Sequence, residues 1–168
     1  IWHKENDFPI LDLIVIPGGF TFGDYLRCGA LAARSPVISS IKNHISRGGT
    51  VLGVCNGFQI LIEAKILPGS LLRNKKLLFT CRETTLEVQN CIKNPFLSGF
   101  KKGECLKIPV AHNEGNYFAP KDLLKQLKEE GRIALKYSNK TNNEKNYNPN
   151  GSTEDIAGIL SNNGRVLG

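Results

Sequence analysis

Five consecutive residues, Gly53-Val54-Cys55-Asn56-Gly57, set a thiol between two glycines, each two places away. An apolar run short enough for a buried strand, residues 51–54, leads into Cys55. Beyond it, Phe58, Leu61, Ile62 and Ile66 recur at helical spacing. This is the pattern of a strand–nucleophile–helix elbow, with cysteine where Gly-x-Ser-x-Gly hydrolases carry serine. The turn requires glycine at 53 and 57, because a Cβ at either would collide with the crossing backbone. It lifts the sulfur above the sheet edge and beside the first amides of a helix, which favour the thiolate. The chemistry such a thiol performs is attack on a carbonyl carbon. A buried structural cysteine ending a strand is the competing reading, so the surroundings must decide.

A cysteine nucleophile needs an oxyanion hole and a base. The amide following the nucleophile, Asn56 N–H, comes with the elbow, and Gly19 in Pro17-Gly18-Gly19 is the natural second donor. Each such donor is typically worth roughly 3 kcal/mol of transition-state stabilisation. The base is left open by the residues alone. His3, His44 and His112 are the only histidines. His112 stands with Glu114 in a polar loop that either forms a triad with Cys55 or binds substrate or water; His44 reads as a partly exposed surface residue.

The elements that must position these groups follow in order. Residues 10–16 read as a buried strand that stops at Pro17-Gly18-Gly19, and residues 24–34 as a short helix. Ser35-Pro36 marks a helix start with a capping serine; Val37, Ile38, Ile41 and Ile45 line one face, and Gly48-Gly49 ends it. The elbow strand and its helix come next, closed by Pro68-Gly69. Strand, helix, strand, helix predicts a parallel sheet flanked by helices, whose ligands bind outside the carboxyl ends of the strands. Pro17-Gly18-Gly19 and Cys55 both fall at such ends, which favours chemistry over a structural cysteine. Residues 76–88 and 104–110 are β-rich and predict a smaller, partly antiparallel addition. Residues 121–130 predict an amphipathic helix stopped by Gly131, and 133–137 a strand. Residues 138–153 read as an exposed, mobile loop, and 156–160 with 165–167 as a hairpin around Ser161-Asn162-Asn163-Gly164.

With 168 residues the chain suits a single domain, 1–168. Its five cysteines are odd in number and scattered, which argues against a disulfide framework or a zinc site and for a reducing, cytoplasmic setting. The net charge of +7 includes a cluster at Arg73, Lys75 and Lys76. Without interleaved aromatics this reads as solvated surface or a docking face for an acidic partner, not as a nucleic-acid stripe. No transmembrane run or signal peptide is visible. The chain starts at Ile1, holds no methionine and stops at Gly168 within an apparent strand, the pattern of a fragment cut at both ends.

Gly53-Val54-Cys55-Asn56-Gly57-Phe58-Gln59 resembles the nucleophile motif of class I (triad-type) glutamine amidotransferases, in particular the glutaminase subunits of phosphoribosylformylglycinamidine synthases. The strings starting at Ile16-Pro17-Gly18-Gly19-Phe20-Thr21, Pro109-Val110-Ala111-His112-Asn113-Glu114-Gly115 and Asp155-Ile156-Ala157-Gly158-Ile159 are similar to that family too, in the same order. The resemblance implies a flavodoxin-like α/β fold and a Cys55 thiolate that attacks the carboxamide of L-glutamine. Ammonia then passes to a synthetase subunit that makes formylglycinamidine ribonucleotide with ATP, with a small assembly subunit as further partner. It implies oxyanion amides at Gly19 and Asn56, and a glutamine pocket lined by Gly18, Gln59 and His112. It implies no cofactor on this subunit; ATP and Mg belong to the synthetase. The family's catalytic His and Glu follow the strand that here ends at Gly168, so by resemblance they lie past this chain, as a first strand lies ahead of it. The resemblance also sets His112 and Glu114 outside the triad. A catalytically incomplete binding or assembly subunit, and a cysteine hydrolase of the same topology, are the alternative functions.

Overall fold

The computed structural model describes residues 1–89, 94–140 and 145–168. The chain gathers into two compact units, one of Ile1–Pro68 with Leu160–Gly168, the other of Gly69–Ile159.

The first unit holds a three-stranded parallel sheet in the order β1-β2-β9, with β1 Leu13–Ile16, β2 Thr50–Gly53 and β9 Val166–Leu167. A central parallel strand is covered on both faces and reads as unbroken apolar sequence, and Val51 and Val166 are fully buried. Helix α1, Val37–Ser46, packs on β2; helix α2, Asn56–Glu63, packs on β1 and β2. β1 is shorter than the expected 10–16. Its pairing starts at Leu13↔Thr50 because β2 itself begins only after the Gly48-Gly49 turn. β1 pairs with β2 alone among the described residues, so Leu13 and Val15 stay about half exposed beside an apolar cavity of about 590 Å3 lined also by Trp2, Phe22, Val37 and Ile41.

Ser35 does not cap α1. The helix begins behind Pro36, itself in helical conformation, with no side-chain cap; Ser35 Oγ lies 3.2 Å from His3 Nδ1 instead. Ile38 and Ile41 are buried as the periodicity requires. His44 is half-buried, its Nε2 3.2 Å from Thr50 O, and its ring occupies the space a Cβ at Gly49 would need. Residues 24–34 form no α-helix. The chain makes two 3-10 turns here, Thr21–Asp24 and Ala32–Arg34, and Phe22, Asp24 and Leu26 take φ values of 54°, 53° and 68°. Left-handed residues cannot propagate a right-handed helix.

The second unit is built on a four-stranded antiparallel sheet, order β5-β4-β7-β8: β4 Thr80–Val88, β5 Cys105–His112, β7 Ile133–Tyr137, β8 Ile156–Ile159. A two-stranded ribbon pairs β3 Ser70–Leu72 with β6 Asn116–Phe118. The antiparallel part therefore has more strands than the parallel one, a larger addition than composition suggested. Helix α3, Lys121–Glu129, buries Leu124 and Leu127, and Gly131 (φ 64°) ends it. The expected hairpin of 156–160 with 165–167 is reduced to one bridge, Leu160↔Leu167. β8 uses its ladder on β7, and β9 uses its own on β2.

Of the loop 138–153, residues 141–144 lie outside the described residues. Asn139, Lys140, Lys145 and Asn146 are exposed as expected, but residues 147–153 are ordered by the loop's own asparagines. Asn150 and Ser152 are buried, at 1% and 4% exposure. Asn148 Oδ1 accepts from Gly151 N (2.8 Å), and Asn150 Oδ1 from Ser152 N and Oγ. Asparagine carboxamides here replace the backbone partners that a strand would have supplied. No helix among the described residues is long and apolar enough to cross a membrane.

Candidate active site

The register Ile16↔Gly53 brings the carboxyl ends of β1 and β2 level, and Val54 N donates to Ile16 O at 3.0 Å. The two loops that leave these ends are thereby forced side by side. Cys55 stands between β2 and α2 with φ 52° and ψ −108°, outside the basins that L residues prefer. Its neighbours are cut to fit. A Cβ on Gly57 would lie 2.0 Å from Ile16 O, and one on Gly53 2.9 Å from Gly57 C. A Cβ on Gly18 would lie 3.3 Å from Cys55 Cβ and 4.0 Å from its Sγ. The sequence-expected elbow and the Pro17-Gly18-Gly19 turn therefore meet at the thiol, and Cys55 is exposed.

The first turn of α2 sorts its amides. Gly57 N donates to Val54 O, and Phe58 N and Gln59 N to Cys55 O. Asn56 N–H is the first amide of the helix and has no backbone acceptor among the described residues. Gly19, with φ 147° and open space around its Cβ position, continues the turn from Gly18.

Asn56 itself is 1% exposed and Gln59 6%. Asn56 Nδ2 donates to Gln59 Oε1 at 2.7 Å, and Asn56 Oδ1 accepts from Thr21 Oγ1 at 2.6 Å. Thr21 and Asp24 join this network without having been singled out from the sequence; a polar residue between Phe20 and Phe22, straight after two glycines, was the available signal. Gly29 brings the same loop onto α2, where a Cβ would lie 2.7 Å from Ile60 N.

A family model described as a CobB/CobQ-like glutamine amidotransferase domain matches residues 3–168. The chain belongs to that glutamine amidotransferase family. Two relatives, from Rhizobium meliloti (strain 1021) and Brucella abortus biovar 1 (strain 9-941), are named phosphoribosylformylglycinamidine synthase subunit PurQ. The amidotransferase chain is 52% and 50% identical to them over its whole length, spanning 72% and 73% of theirs. A solved structure described as PurLQS from Thermotoga maritima is similar with TM-score 0.80 and 41% identity over 94% of this chain and 66% of that one.

His112, expected in the glutamine pocket of the amidotransferase, belongs to the second unit as the last residue of β5. Asn74 fixes the loop behind it: Asn74 Nδ2 donates to His112 O (2.9 Å), and Gly115 N donates to Asn74 Oδ1 (3.1 Å). Asn150 Nδ2 lies 3.4 Å from His112 Nε2, and Nδ1 is buried with no partner among the described residues. Burial holds the His112 pKa below 6.5, and its own backbone pulls weakly the other way. An imidazolium would turn an N–H toward the donating Asn150 amide. The unfolded chain binds a proton near pH 6.5 that folded His112 resists, so its share of stability is present above that pH and is lost on acidification. Urea melts between about pH 7.5 and about pH 5 will show a shallower loss of stability for His112→Gln than for the native chain. The basic cluster is partly engaged: Arg73 Nε is 3.8 Å from Glu114 Oε1, and Lys75 packs against Gly151.

Proposed function

We propose that this chain is the glutaminase subunit of a phosphoribosylformylglycinamidine synthase, with Cys55 as its nucleophile. The observation that carries the reading is the elbow: a strained, exposed cysteine at the end of β2, with the Gly18-Gly19 turn of β1 packed against it. The Cys55 thiolate attacks the carboxamide carbon of L-glutamine, and the C=O electrons move onto oxygen. The N–H groups of Gly19 and Asn56 hold that oxyanion. Collapse of the tetrahedral adduct breaks the C–N bond, and the nitrogen leaves as ammonia after taking a proton. Water then attacks the thioester, releasing glutamate and restoring the thiol. Gly18 and Gln59, beside Cys55 in the first unit, line the glutamine pocket.

β9 runs parallel to β2 with Leu167 level with Leu52, so its carboxyl end opens on the Cys55 edge. The resemblance implies a histidine oriented by a glutamate as the general base. The two units act as one amidotransferase domain, since one family model runs through both. The ammonia goes to a synthetase subunit, which alone uses ATP and Mg, in a complex with a small assembly subunit in the cytoplasm. Relatives carrying the PurQ name and the PurLQS neighbour support these partners.

Labelling tests the reading. The glutamine-mimicking electrophile 6-diazo-5-oxonorleucine, applied to the chain with its synthetase partners, should modify Cys55 alone among the five cysteines, and glutamine should protect it. Labelling spread evenly over the cysteines, or untouched by glutamine, would sink it.

A further inference from the structure

We propose that the Asn56 side chain, and not only its amide, positions the site: through Thr21 it clamps the Gly18-Gly19 loop to the helix behind the nucleophile. This rests on the reading of Cys55 as nucleophile.

A buried carboxamide in the first turn of a helix is costly unless every polar atom is engaged. Asn56 is buried at 1% exposure, and its bonds point in two directions. Toward the loop, Oδ1 accepts from Thr21 Oγ1 at 2.6 Å and from Thr21 N at 3.4 Å, and Nδ2 reaches Asp24 Oδ1 at 3.4 Å. Toward its own helix, Nδ2 donates to Gln59 Oε1 at 2.7 Å. One side chain thus joins the loop that bears an oxyanion donor to a residue of the glutamine pocket.

The loop needs such a tie. Phe22 and Asp24 sit at positive φ, and Phe20, Phe22, Tyr25 and Leu26 are all more than half exposed, so hydrophobic burial does not hold it. Its far end is held by the fork of Arg27 Nε and Nη2 on the Glu63 carboxylate, at 3.0 and 2.7 Å. Arg27 is largely exposed, and an exposed pair constrains weakly. The part-buried Thr21–Asn56 bond, with Asn56 itself buried, is the stiffer tie, and Thr21 is only two residues from Gly19. Losing it lets the Gly19 amide drift from the developing oxyanion. The cost falls on the transition state rather than on glutamine binding.

The test replaces the hydroxyl with a methyl of equal size, Thr21→Val, in the full chain assembled with its synthetase partners. The expected kcat for glutamine hydrolysis falls roughly tenfold to a hundredfold, the scale of a misplaced donor. The KM for glutamine should change less than about twofold. Alkylation of Cys55 by iodoacetamide should keep its native rate, and Thr21→Ser should restore kcat. Asn56→Ala should also lower kcat, and the double variant should lose no more than the worse single one. Native kcat in Thr21→Val, failure of Thr21→Ser to rescue, or additive losses in the double variant would each overturn the clamp. Glutamine hydrolysis persisting in Cys55→Ala would instead remove the nucleophile reading beneath it. An inactive Cys55→Ala beside a fully active Thr21→Val would leave that reading standing and discard the clamp alone.

Discussion

Cys55→Ala will lose glutamine-dependent activity by on the order of 10^4-fold or more, the scale seen when a covalent nucleophile is removed from a unit that acts together. Synthesis driven by added ammonium salt should survive, because in the proposed division of labour the thiol serves only the release of ammonia. The same position carries a second expectation, about stability. Cys55 has φ 52° and ψ −108°, a conformation a residue with a Cβ holds at a cost of roughly 1–3 kcal/mol. Glycine tolerates it. Cys55→Gly and Cys55→Ala are equally unable to attack glutamine, yet the glycine variant should unfold at higher urea, by a margin within that range. Paired denaturation curves decide the point. An alanine variant as stable as the glycine one would mean that the elbow stores no strain for the nucleophile to spend.

What the sequence disclosed about this site is what glycine spacing encodes. Gly53 and Gly57 bracket Cys55 because backbone passes where their side chains would be, and that constraint is local enough to read from five residues. The parallel pairing of β1 with β2 followed in the same way from short apolar runs and turn signals, whereas β9, read as half of a hairpin, was not placed beside β2. The clamp was not legible. Thr21 and Asn56 lie 35 positions apart, and a bond between two polar side chains leaves no periodicity in either segment. Asn56 was singled out for its amide, and its buried side chain was missed for that reason.

The other departures share a cause. The capping role of Ser35, the helix over 24–34 and the open loop over 138–153 are each propensity arguments, and each yields to a specific side-chain partner, distant for the first two and local for the loop. Ser35 meets His3, Asp24 and Arg27 reach α2, and Asn148 and Asn150 satisfy backbone amides of their own loop. The hairpin failed because a strand end has two sides. β8 and β9 follow one another closely in sequence, but their ladders run to different neighbours.

Gly57→Ala is the substitution expected to damage the fold most. The new methyl would sit 2.0 Å from Ile16 O and 2.8 Å from Ile16 C. Those atoms belong to the backbone of β1, whose carbonyl also accepts Val54 N, so they have no rotamer into which to retreat. Either α2 lifts from the sheet or the β1–β2 ends part, and both routes break the junction that places Gly18 against Cys55. A destabilisation of about 3 kcal/mol, the upper end of the usual cost of overpacking, is the expectation against fixed main chain. Gly53→Ala should cost less, since its shortest contact is the movable Leu61 Cδ1 at 2.4 Å, although Gly57 C and O at 2.9 Å still resist. Gly48→Ala supplies the scale: its Cβ meets open space, so only φ 88° opposes it, at about 1 kcal/mol. Urea denaturation of the three variants should therefore rank them 57, 53, 48 in loss of stability. Equal losses at all three would mean that positive φ and general glycine entropy govern these positions, and that the close approach of α2 to β1 does not hold the elbow.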